Sequence, residues 1–364
     1  MQIQGVIDLL EAWAPRKYAE DFDNTGLLVG NKATDLTGVL VTLDCLEEVV
    51  DEAIQKGCNL IVSFHPIIFK GLKRLTGESY VERAVLKAIK NDIAIYAIHT
   101  ALDNSWEGVN HQILKTLGAQ KERVLLPKAG TLKKLVTYAP LVEVADLLDA
   151  LFAAGAGGVG DYSECSFTSE GTGSFKPGDN TNPTIGDKGA RHYESEKRIE
   201  LLVPLHCEKQ VVSALLNTHS YDEVAYELVP IQNTDAQLGM GMIGEFDSAI
   251  SESEFLNLLR SKMNGRGIRH SELLDRNIKR IAVLGGSGAF AIGAAKAAGV
   301  DAFVSADFKY HDFFAAEQRI LLVDIGHYES EQYTKNLIVQ HLSEKITNFA
   351  VLLSEINTNP IFYL

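Results

Sequence analysis

The chain has 364 residues, of which 46% are hydrophobic, and its formal net charge at pH 7 is −14. This length exceeds the roughly 250–300 residues that one hydrophobic core usually supports, so we expect two domains. The acidic balance excludes the broad basic surface that binds phosphate backbones, which argues against nucleic acid as a partner.

The cysteines and the N-terminal segment indicate the cellular compartment of the protein. No CxxC spacing occurs among the four cysteines, at positions 45, 58, 165 and 207. Such usage is typical of reduced thiols in the cytoplasm. The N-terminal MQIQGVIDLLEAWAP has a helical pattern without the basic start of a secretion signal. No apolar run approaches the roughly 20 residues of a membrane span. We therefore expect a cytoplasmic protein without a membrane partner.

The first third of the chain alternates between strand-like and helix-like segments. Apolar, β-branched runs occur at residues 38–44, 59–66 and 93–103. The segments between them, at residues 46–57 and 78–92, have the period of amphipathic helices. Strand, helix, strand, helix, strand is the order of a sheet with helices on its faces.

The last third repeats this order, whereas the middle differs from it. The strand-like runs IKRIAVLGGSG, DAFVSAD and RILLVDIG are separated by helical patterns, and a long helix is predicted from about residue 328 to residue 345. From about residue 132 the middle reads strand, helix, strands, helix, strand, with a passage rich in Gly, Ser, Thr and Asn at 158–189. This order predicts a small split βαβ sandwich with one long hairpin.

Together these patterns predict an α/β fold interrupted by an insertion. Two α/β halves, residues 1–128 and 246–364, form one metal-binding domain in this interpretation. Residues 129–245 form a ferredoxin-like α+β insert domain between them. The candidate ligands described next all lie outside the insert.

Side chains that can bind metal follow the carboxyl ends of the predicted strands. Five candidate ligands lie at such positions: His65, His99, Asp103, His327 and Glu331. Ligands of open α/β sheets collect at this edge. Imidazoles and carboxylates suit zinc, manganese or iron better than an ion that prefers thiolates. One such residue alone is more often a hydrogen-bonded or helix-capping group, so the prediction depends on the convergence of several.

The pentapeptide HYESE occurs twice, and its two contexts differ. The copy from His327 to Glu331 follows an apolar strand and Gly326, which permits a sharp turn, and a helical pattern continues beyond it. Its histidine and glutamate should share one helix face. The copy from His192 to Glu196 leads into a strand, where residues four apart lie about 13 Å from each other. Only the second copy is predicted to bind metal.

Six sequence motifs occur in order at the two ends of the chain. They are FDNTGLLVG (22–30), SFHPIIFKGLKRLTG (63–77), AIHTALDNSWEGVN (97–110), GGSGA (285–289), SADFKYHD (305–312) and DIGHYESE (324–331). The set resembles the GTP cyclohydrolase 1 type 2 homologue family, also described as interacting-factor-three-like, dinuclear metal-binding proteins. The middle segment, with YSECSFTSEGTGSFKPG, resembles the P-II-like insert of longer bacterial members.

The resemblance implies a cleft with two divalent metal ions, zinc or else manganese or iron. The implied ligands are His65, Asp103, His327 and Glu331, with Glu331 bridging both ions. Family members often have a second histidine immediately before the first ligand, and here that position is Phe64. The second ion would therefore lack one imidazole, which leaves three alternatives: the ion is weakly held, water contacts replace the lost bond, or the ion is absent.

Two further histidines lie near the predicted cleft. His99 precedes Asp103 by four residues, and we expect it to orient a ligand or to serve as a spare one. His311, in DFKYHD, is the candidate general acid or base, because a histidine titrates near neutral pH. A purely structural role, in which His311 begins a helix and bonds to Asp307 or Asp312, is an equally good interpretation.

Two short motifs have both a functional and a purely structural interpretation. By resemblance, Asp23, Asn24 and Thr25 line the cleft, although DNTG is also the composition of a tight turn. The GGSG at residues 285–288 follows a strand and precedes a helical pattern, a geometry that can bind an anion on backbone amides. The GGSG motif has no Walker lysine, so the sequence evidence for a phosphate-binding loop is weak.

Two functions remain open from the sequence. One is a metal-dependent hydrolase acting on a small molecule, a nucleotide or pterin-like phosphate, which Lys70, Lys73 and Arg74 could help to bind. The other is a metal-holding regulatory or protein-interaction protein without turnover, which the P-II-like insert favours. The resemblance also implies a homo-oligomer, a trimer or a hexamer.

Overall fold

The chain forms two compact units in the computed structural model, which describes residues 1–364. The main unit contains residues 1–127 and 237–364, and the insert unit contains residues 128–236. No helix in either unit combines the length and the apolar character that crossing a membrane requires.

The first part of the main unit contains five strands and five helices. The strands are β1 (Gly26–Val29), β2 (Val39–Thr42), β3 (Leu60–Ser63), β4 (Ala94–Ala97) and β5 (Gln120–Pro127). The helices are α1 (Ile3–Trp13), α2 (Glu47–Lys56), α3 (Tyr80–Lys90), α4 (His99–Asp103) and α5 (Val109–Leu117). Every residue of β2, β3 and β4 is buried, as expected for strands that are covered on both faces.

The insert unit is a four-stranded antiparallel sheet with two helices. Its elements are β6 (Leu132–Pro140), α6 (Val144–Ala153), β7 (Phe167–Phe175), β8 (His192–Pro204), α7 (Glu208–Thr218) and β9 (Tyr226–Pro230). The strand order is β7-β8-β6-β9, and each neighbouring pair is antiparallel. This order confirms the predicted split βαβ arrangement with its long β7–β8 hairpin.

The second part of the main unit continues the α/β order. Its strands are β10 (Gly239–Ser251), β11 (Arg269–His270), β12 (Asn277–Ser287), β13 (Ala302–Ala306), β14 (Leu321–Asp324) and β15 (Val351–Leu353). Its helices are α8 (Glu252–Lys262), α9 (Ile292–Ala297), α10 (His327–Glu331) and α11 (Thr334–Lys345). The single long helix predicted for 328–345 is therefore two helices. At the break, Gln332 and Tyr333 donate hydrogen bonds to the carbonyls of Met263 and Lys262.

Two sheets organise the main unit. The first has the order β1-β4-β3-β2-β15, and the second has the order β11-β14-β13-β12-β10-β5. β2, β3 and β4 are parallel neighbours, and so are β12, β13 and β14. One hydrophobic cluster contains buried residues of both sheets, including Val41, Val62, Val283 and Val323. The shared core holds the two sheets together, so the carboxyl ends of both sets of parallel strands can contribute to one site.

The third strand-like run of the first third is shorter than predicted. β4 ends at Ala97, and the remainder of the predicted 93–103 strand is the short helix α4, His99–Asp103. The change of direction occurs at His99, whose φ of 27° takes the backbone out of the extended region. His99 and Asp103 therefore lie at opposite ends of one helical turn, four residues apart.

The predicted boundary between residues 245 and 246 lies inside β10 and is wrong. β10 pairs with β5 on one side and with β12 on the other, so the whole strand belongs to the second sheet of the main unit. The last strand recognised in the insert, β9, ends at Pro230. The contacts divide the chain at residue 236, before β10 begins.

We expect the main unit to fold without the insert. Pro127 and Gly239, which flank the insert, are paired neighbours on β5 and β10, so a short glycine-containing turn can replace residues 128–236. The shortened chain should unfold cooperatively on heating and should bind as many metal ions per chain as the full chain. Circular dichroism and metal analysis check both expectations. An unfolded shortened chain would contradict the separation of the two units.

Candidate metal centre

Three candidate metal ligands converge at the carboxyl ends of β3 and β14. His65 follows β3, His327 begins α10 after β14, and Glu331 lies one helical turn further on. The ligand atoms of these three residues all lie within 4.8 Å of one another. Glu331 is 3% exposed, and its Oε2 atom lies 3.1 Å from His65 Nε2 and 3.2 Å from His327 Nε2. The helix predicted for the second HYESE and the turn at Gly326 are confirmed.

An aspartate lies behind each histidine of the site. His65 Nδ1 is 2.8 Å from Asp44 Oδ1, and His327 Nδ1 is 2.7 Å from Asp307 Oδ2. A hydrogen bond at Nδ1 fixes the tautomer and leaves the Nε2 lone pair for a metal ion. The Nε2 atoms of both histidines are the ones that approach Glu331. Each histidine therefore has a carboxylate bonded to Nδ1, as is usual for histidines that bind metal through Nε2.

Strand neighbours explain these aspartate–histidine pairs. Thr42 and Ser63, the last residues of β2 and β3, are register partners. Asp44 lies two residues after Thr42, and His65 lies two residues after Ser63, so the two side chains lie side by side. Asp307 directly follows β13, the parallel neighbour of β14, and adopts a φ of 58° that aspartate tolerates. Neither orienting role was predicted, although an acidic residue after a neighbouring parallel strand was a usable signal.

Two buried carboxylate oxygens of the site lack hydrogen bonds. Asp103 Oδ1 and Glu331 Oε2 are both buried without a hydrogen-bond partner. The two imidazoles approach Glu331 Oε2 at short distance but without hydrogen-bond alignment. Buried polar groups are almost always satisfied, so an unsatisfied carboxylate oxygen beside two imidazole nitrogens is the kind of position that a cation can occupy. The residues present fit a divalent metal ion.

The charges of the site are strongly coupled. Burial lowers the pKa of both imidazoles, but the charge of Glu331 and the hydrogen-bonded aspartates raise it by more. The result is a pKa of about 10 for His65 and of about 11 for His327. Burial also opposes the charged Glu331, yet the two histidines hold its pKa well below the ordinary value. The pKa of Asp103 is raised by burial and by the charge of Glu331. Positive charge is therefore favoured at the Nε2 side of both rings.

A cavity of about 230 Å³ opens onto the site. Its walls include His99, Asp103, His327 and Glu331. His99 Nδ1 is 2.8 Å from Asp23 Oδ1, and Asp23 also accepts hydrogen bonds from the Thr100 backbone and hydroxyl. The predicted place of His99 beside the ligands agrees with this geometry, and Asp23 lies behind it. The structure thus brings all five candidate ligands to one region.

Two glycines make room for the buried carboxylate. A Cβ at Gly286 would lie 2.5 Å from Glu331 Oε1, and a Cβ at Gly285 would lie 3.3 Å from Glu331 Cγ. The backbone N–H groups of Gly285 and Gly286 donate to Asn110 Oδ1 and Ser330 Oγ. These amides are therefore occupied, and the phosphate-loop interpretation of GGSG is wrong. Its glycines allow the close approach of a side chain instead.

His311 does not line the cavity. It is exposed on a 3-10 helix, Tyr310–Ala316, with its ring near those of Tyr310 and Phe314. Asp307, one of its suggested partners, is bonded to His327 instead. Its assignment as general acid or base stays a prediction.

The predicted phosphate-binding cations also lie outside the cavity. Lys70, Lys73 and Arg74 are exposed on the loop after β3, and Arg74 pairs with Glu78. Asn24 donates a hydrogen bond to the carbonyl of Ile68, which ties the DNTG segment to this loop. Both segments thus have structural roles near the site, and neither places a cation in the cavity.

The position before His65 is fully apolar. Phe64 has no exposed surface and belongs to the core that the two sheets share. Its ring centroid lies 4.9 Å from that of His65 and 5.5 Å from that of His99. The phenylalanine packs the space between the two histidines and offers no ligand atom.

The first HYESE copy belongs to the insert unit, whereas all of these ligand candidates belong to the main unit. It forms the start of β8, as predicted, and His192 Nε2 contacts Glu194 Oε2 at 3.0 Å rather than Glu196. The candidate metal-binding group contains no residue of this copy.

The fold and site define a two-sheet α/β protein with a candidate metal centre at the converging strand ends. Residues 1–360 match the family described as Duf34/NIF3 (NGG1p interacting factor 3), and the chain belongs to this family. The predicted resemblance is thereby confirmed. The chain is 38% identical over 370 residues to the GTP cyclohydrolase 1 type 2 homolog of Bacillus subtilis (strain 168), an alignment that covers 99% of this chain and 98% of the relative.

Solved structures of related proteins share the fold. A Bacillus cereus protein related to NIF3 aligns with a TM-score of 0.86 and 35% identity, covering 100% of this chain and 99% of the other. Staphylococcus aureus protein SA1388 aligns with a TM-score of 0.78 and 32% identity over 100% of this chain and 99% of the other. Both alignments extend through the insert as well as the main unit.

Substituting Gly286 should weaken metal binding. Alanine at this position has to adopt the φ of 67° and places its Cβ 2.5 Å from Glu331 Oε1, which displaces the carboxylate. We expect Gly286→Ala to lower zinc affinity at least about tenfold in a chelator-competition titration. Gly293→Ala is the matched control, because a Cβ there meets no heavy atom within 4 Å. Equal affinity in both variants would contradict this role of Gly286.

Metal binding should release protons at neutral pH. The pKa values of His65 and His327 are about 10 and about 11, so both imidazoles are protonated at pH 7 before metal arrives. A metal ion needs their deprotonated Nε2 atoms, so affinity should increase as the pH rises from 6 to 9. Zinc calorimetry at pH 7 in buffers of different ionisation enthalpy should report about two protons released. His327→Ala should release about one fewer, and a buffer-independent enthalpy would refute the assignment.

Proposed function

We propose that the main unit binds divalent metal at His65, His327 and Glu331 and uses it for hydrolysis of a small molecule. The observation that supports this proposal is the convergence of two aspartate-backed imidazoles on a buried carboxylate oxygen without a hydrogen bond. Nitrogen and oxygen donors of this kind fit zinc, manganese or iron. The protein would then belong to the metal-dependent hydrolases.

The second ion of the proposed pair would be held less tightly than the first. Asp103 Oδ1 is buried without a partner and lines the same cavity as Glu331, so the two carboxylates are the proposed ligands. Phe64 contributes no imidazole. We propose one tight site and one weak site, with Glu331 shared between them.

The proposed chemistry is divided between the metal and the side chains of the cavity. When bound, metal of this kind lowers the pKa of water and polarises a phosphoryl or carbonyl oxygen. His99 lines the cavity with its Nδ1 bonded to Asp23, which leaves Nε2 to exchange a proton with the reacting groups. His311 lies outside the lining. Of the two histidines, His99 is therefore the stronger candidate for general acid–base catalysis.

The cavity favours a small substrate with a flat apolar part. Phe22 and Phe290 line it and are 65% and 63% exposed, so both rings are available for stacking. Relatives of this chain are named GTP cyclohydrolase 1 type 2 homolog. We propose a nucleotide or pterin-like phosphate as the substrate class. The metal, rather than Lys70 or Lys73, would contact the phosphate, because neither lysine lines the cavity.

A metal-holding regulator without turnover is the second candidate. A specific observation favours it, because the insert unit contains a cavity of about 420 Å³, larger than that of the metal centre. A regulatory protein with separate metal and effector sites would have this arrangement. The two functions differ in turnover, which the following experiment measures.

His327→Ala should lower both bound metal and hydrolysis of nucleotide and pterin phosphates. Losing a direct ligand should weaken metal binding by at least about 10–100-fold. His192→Ala is the matched control, because it changes the same residue of the other HYESE copy. Metal analysis and phosphate release measured on both variants test the proposal. Metal loss in His327→Ala, with no hydrolysis by the unmodified protein, would favour the regulator. Unchanged metal content in His327→Ala would refute the centre itself.

A further inference from the structure

The insert unit contains a cavity that the proposed metal chemistry does not use. Its volume is about 420 Å³, within the usual range for small-molecule sites. All of its lining residues belong to the insert unit. Among them are Tyr138, Phe175, Glu196 and Tyr221, three aromatic rings and one carboxylate.

Glu196, the last residue of the first HYESE, is a buried carboxylate with one oxygen unused. The residue is 8% exposed, and Tyr221 donates its hydroxyl hydrogen to Glu196 Oε1 at 2.8 Å. A Cβ at Gly173 would lie 2.1 Å from Glu196 Oε2, so only glycine on β7 permits this position of the carboxylate. No protein group donates a hydrogen bond to Oε2. That atom is available to a ligand in the cavity.

The surroundings of Glu196 do not neutralise its charge. Among the lining residues the only basic one is the exposed Lys176, whereas Glu196, Asp222 and Glu223 are acidic. His219 contacts the Tyr221 ring, but both of its ring nitrogens are used elsewhere: Nδ1 accepts from Tyr221 N, and Nε2 donates to the carbonyl of Tyr138. A buried carboxylate without a cationic partner is costly. A positively charged ligand would remove this cost.

Aromatic rings stand beside the carboxylate. The ring centroids of Phe175 and Tyr221 are 5.9 Å apart with an interplanar angle of 57°, and Tyr138 lines the same cavity. Burial and the hydrogen bond to Glu196 raise the pKa of Tyr221, which keeps its hydroxyl protonated and fixed as a donor. Aromatic faces attract cations and stack on planar groups. The cavity thus places aromatic rings beside the buried carboxylate of Glu196.

We infer that the insert cavity binds a small organic cation, an amine, amidinium or guanidinium joined to a flat apolar body. The N–H groups of the cation bind Glu196 Oε2, and the flat body packs against Phe175 and Tyr221. This site is separate from the metal centre and independent of whether that centre turns over. It gives the first HYESE copy a role that its strand conformation allows, since one glutamate suffices.

Benzamidine and benzamide are matched probes for this inference. They have nearly the same shape, but only benzamidine is cationic at pH 7. Calorimetric titration of the full-length protein should show benzamidine binding at least about tenfold tighter than benzamide, the effect expected of a charged hydrogen bond. This comparison needs no variant, so it does not depend on the folding of a mutant. Equal binding of the two probes, or no binding of benzamidine, overturns the inference.

Two variants locate the bound probe. Glu196→Gln keeps the shape and removes the charge, and it should lower benzamidine affinity at least about tenfold without affecting benzamide. Glu194→Gln is the control, because Glu194 is the neighbouring carboxylate of the same strand and does not line the cavity. It should change the affinity less than about twofold. Unchanged benzamidine binding in Glu196→Gln would place the probe elsewhere and overturn the inference.

Discussion

The buried carboxylate of Glu331 is the constraint on which the rest of the site depends. A carboxylate that is 3% exposed has to be compensated, and two imidazole Nε2 atoms approach its Oε2 from two different sheets. Those imidazoles come into position only because the first and second sheets share one hydrophobic core. The close approach also requires Gly286, where any side chain would collide with the carboxylate. Packing and electrostatics therefore support the same arrangement.

Parallel strands supply the orientation of the site. The last residues of β2, β3 and β4 are register partners. Two positions after these strand ends lie Asp44, His65 and His99, respectively. Three side chains placed in this way form a row along one sheet edge, and the second sheet supplies His327 opposite them. Aspartates at the outer side of the histidines fix the rings, and the Nε2 atoms are left for ligands. The metal-binding function proposed here follows from strand register more than from any single motif.

The insert unit repeats one element of this chemistry in a different context. Glu196 and Glu331 end the same pentapeptide, and each is a buried carboxylate that lies against a glycine. Glu331 is on a helix and faces two imidazoles, whereas Glu196 is on a strand and faces aromatic rings and a tyrosine hydroxyl. The donor set around each carboxylate decides which cation it favours. A metal ion suits the first site, and an organic cation suits the second.

Local patterns in the sequence were sufficient for the α/β order of elements, the split βαβ insert and the placement of candidate ligands at the strand ends. Periodicity decides these features, because a strand buried on both faces is continuously apolar and a helix repeats every 3.6 residues. The contrast between the two HYESE copies was also predictable, since flanking residues decide between helix and strand. The end of β4 at Ala97 was not, because it depends on the φ of 27° at His99, which no local pattern requires.

Only the tertiary structure decided the partners of those residues. Asp44 and Asp307 became orienting groups because their strands are neighbours in a sheet, and His311 was excluded from the cavity because its 3-10 helix presents it to solvent. The amides of Gly285 and Gly286 are not free for an anion, because Asn110 and Ser330 accept their hydrogen bonds from other elements. These contacts join residues far apart in the chain, and a local pattern contains no information about which distant groups share a surface.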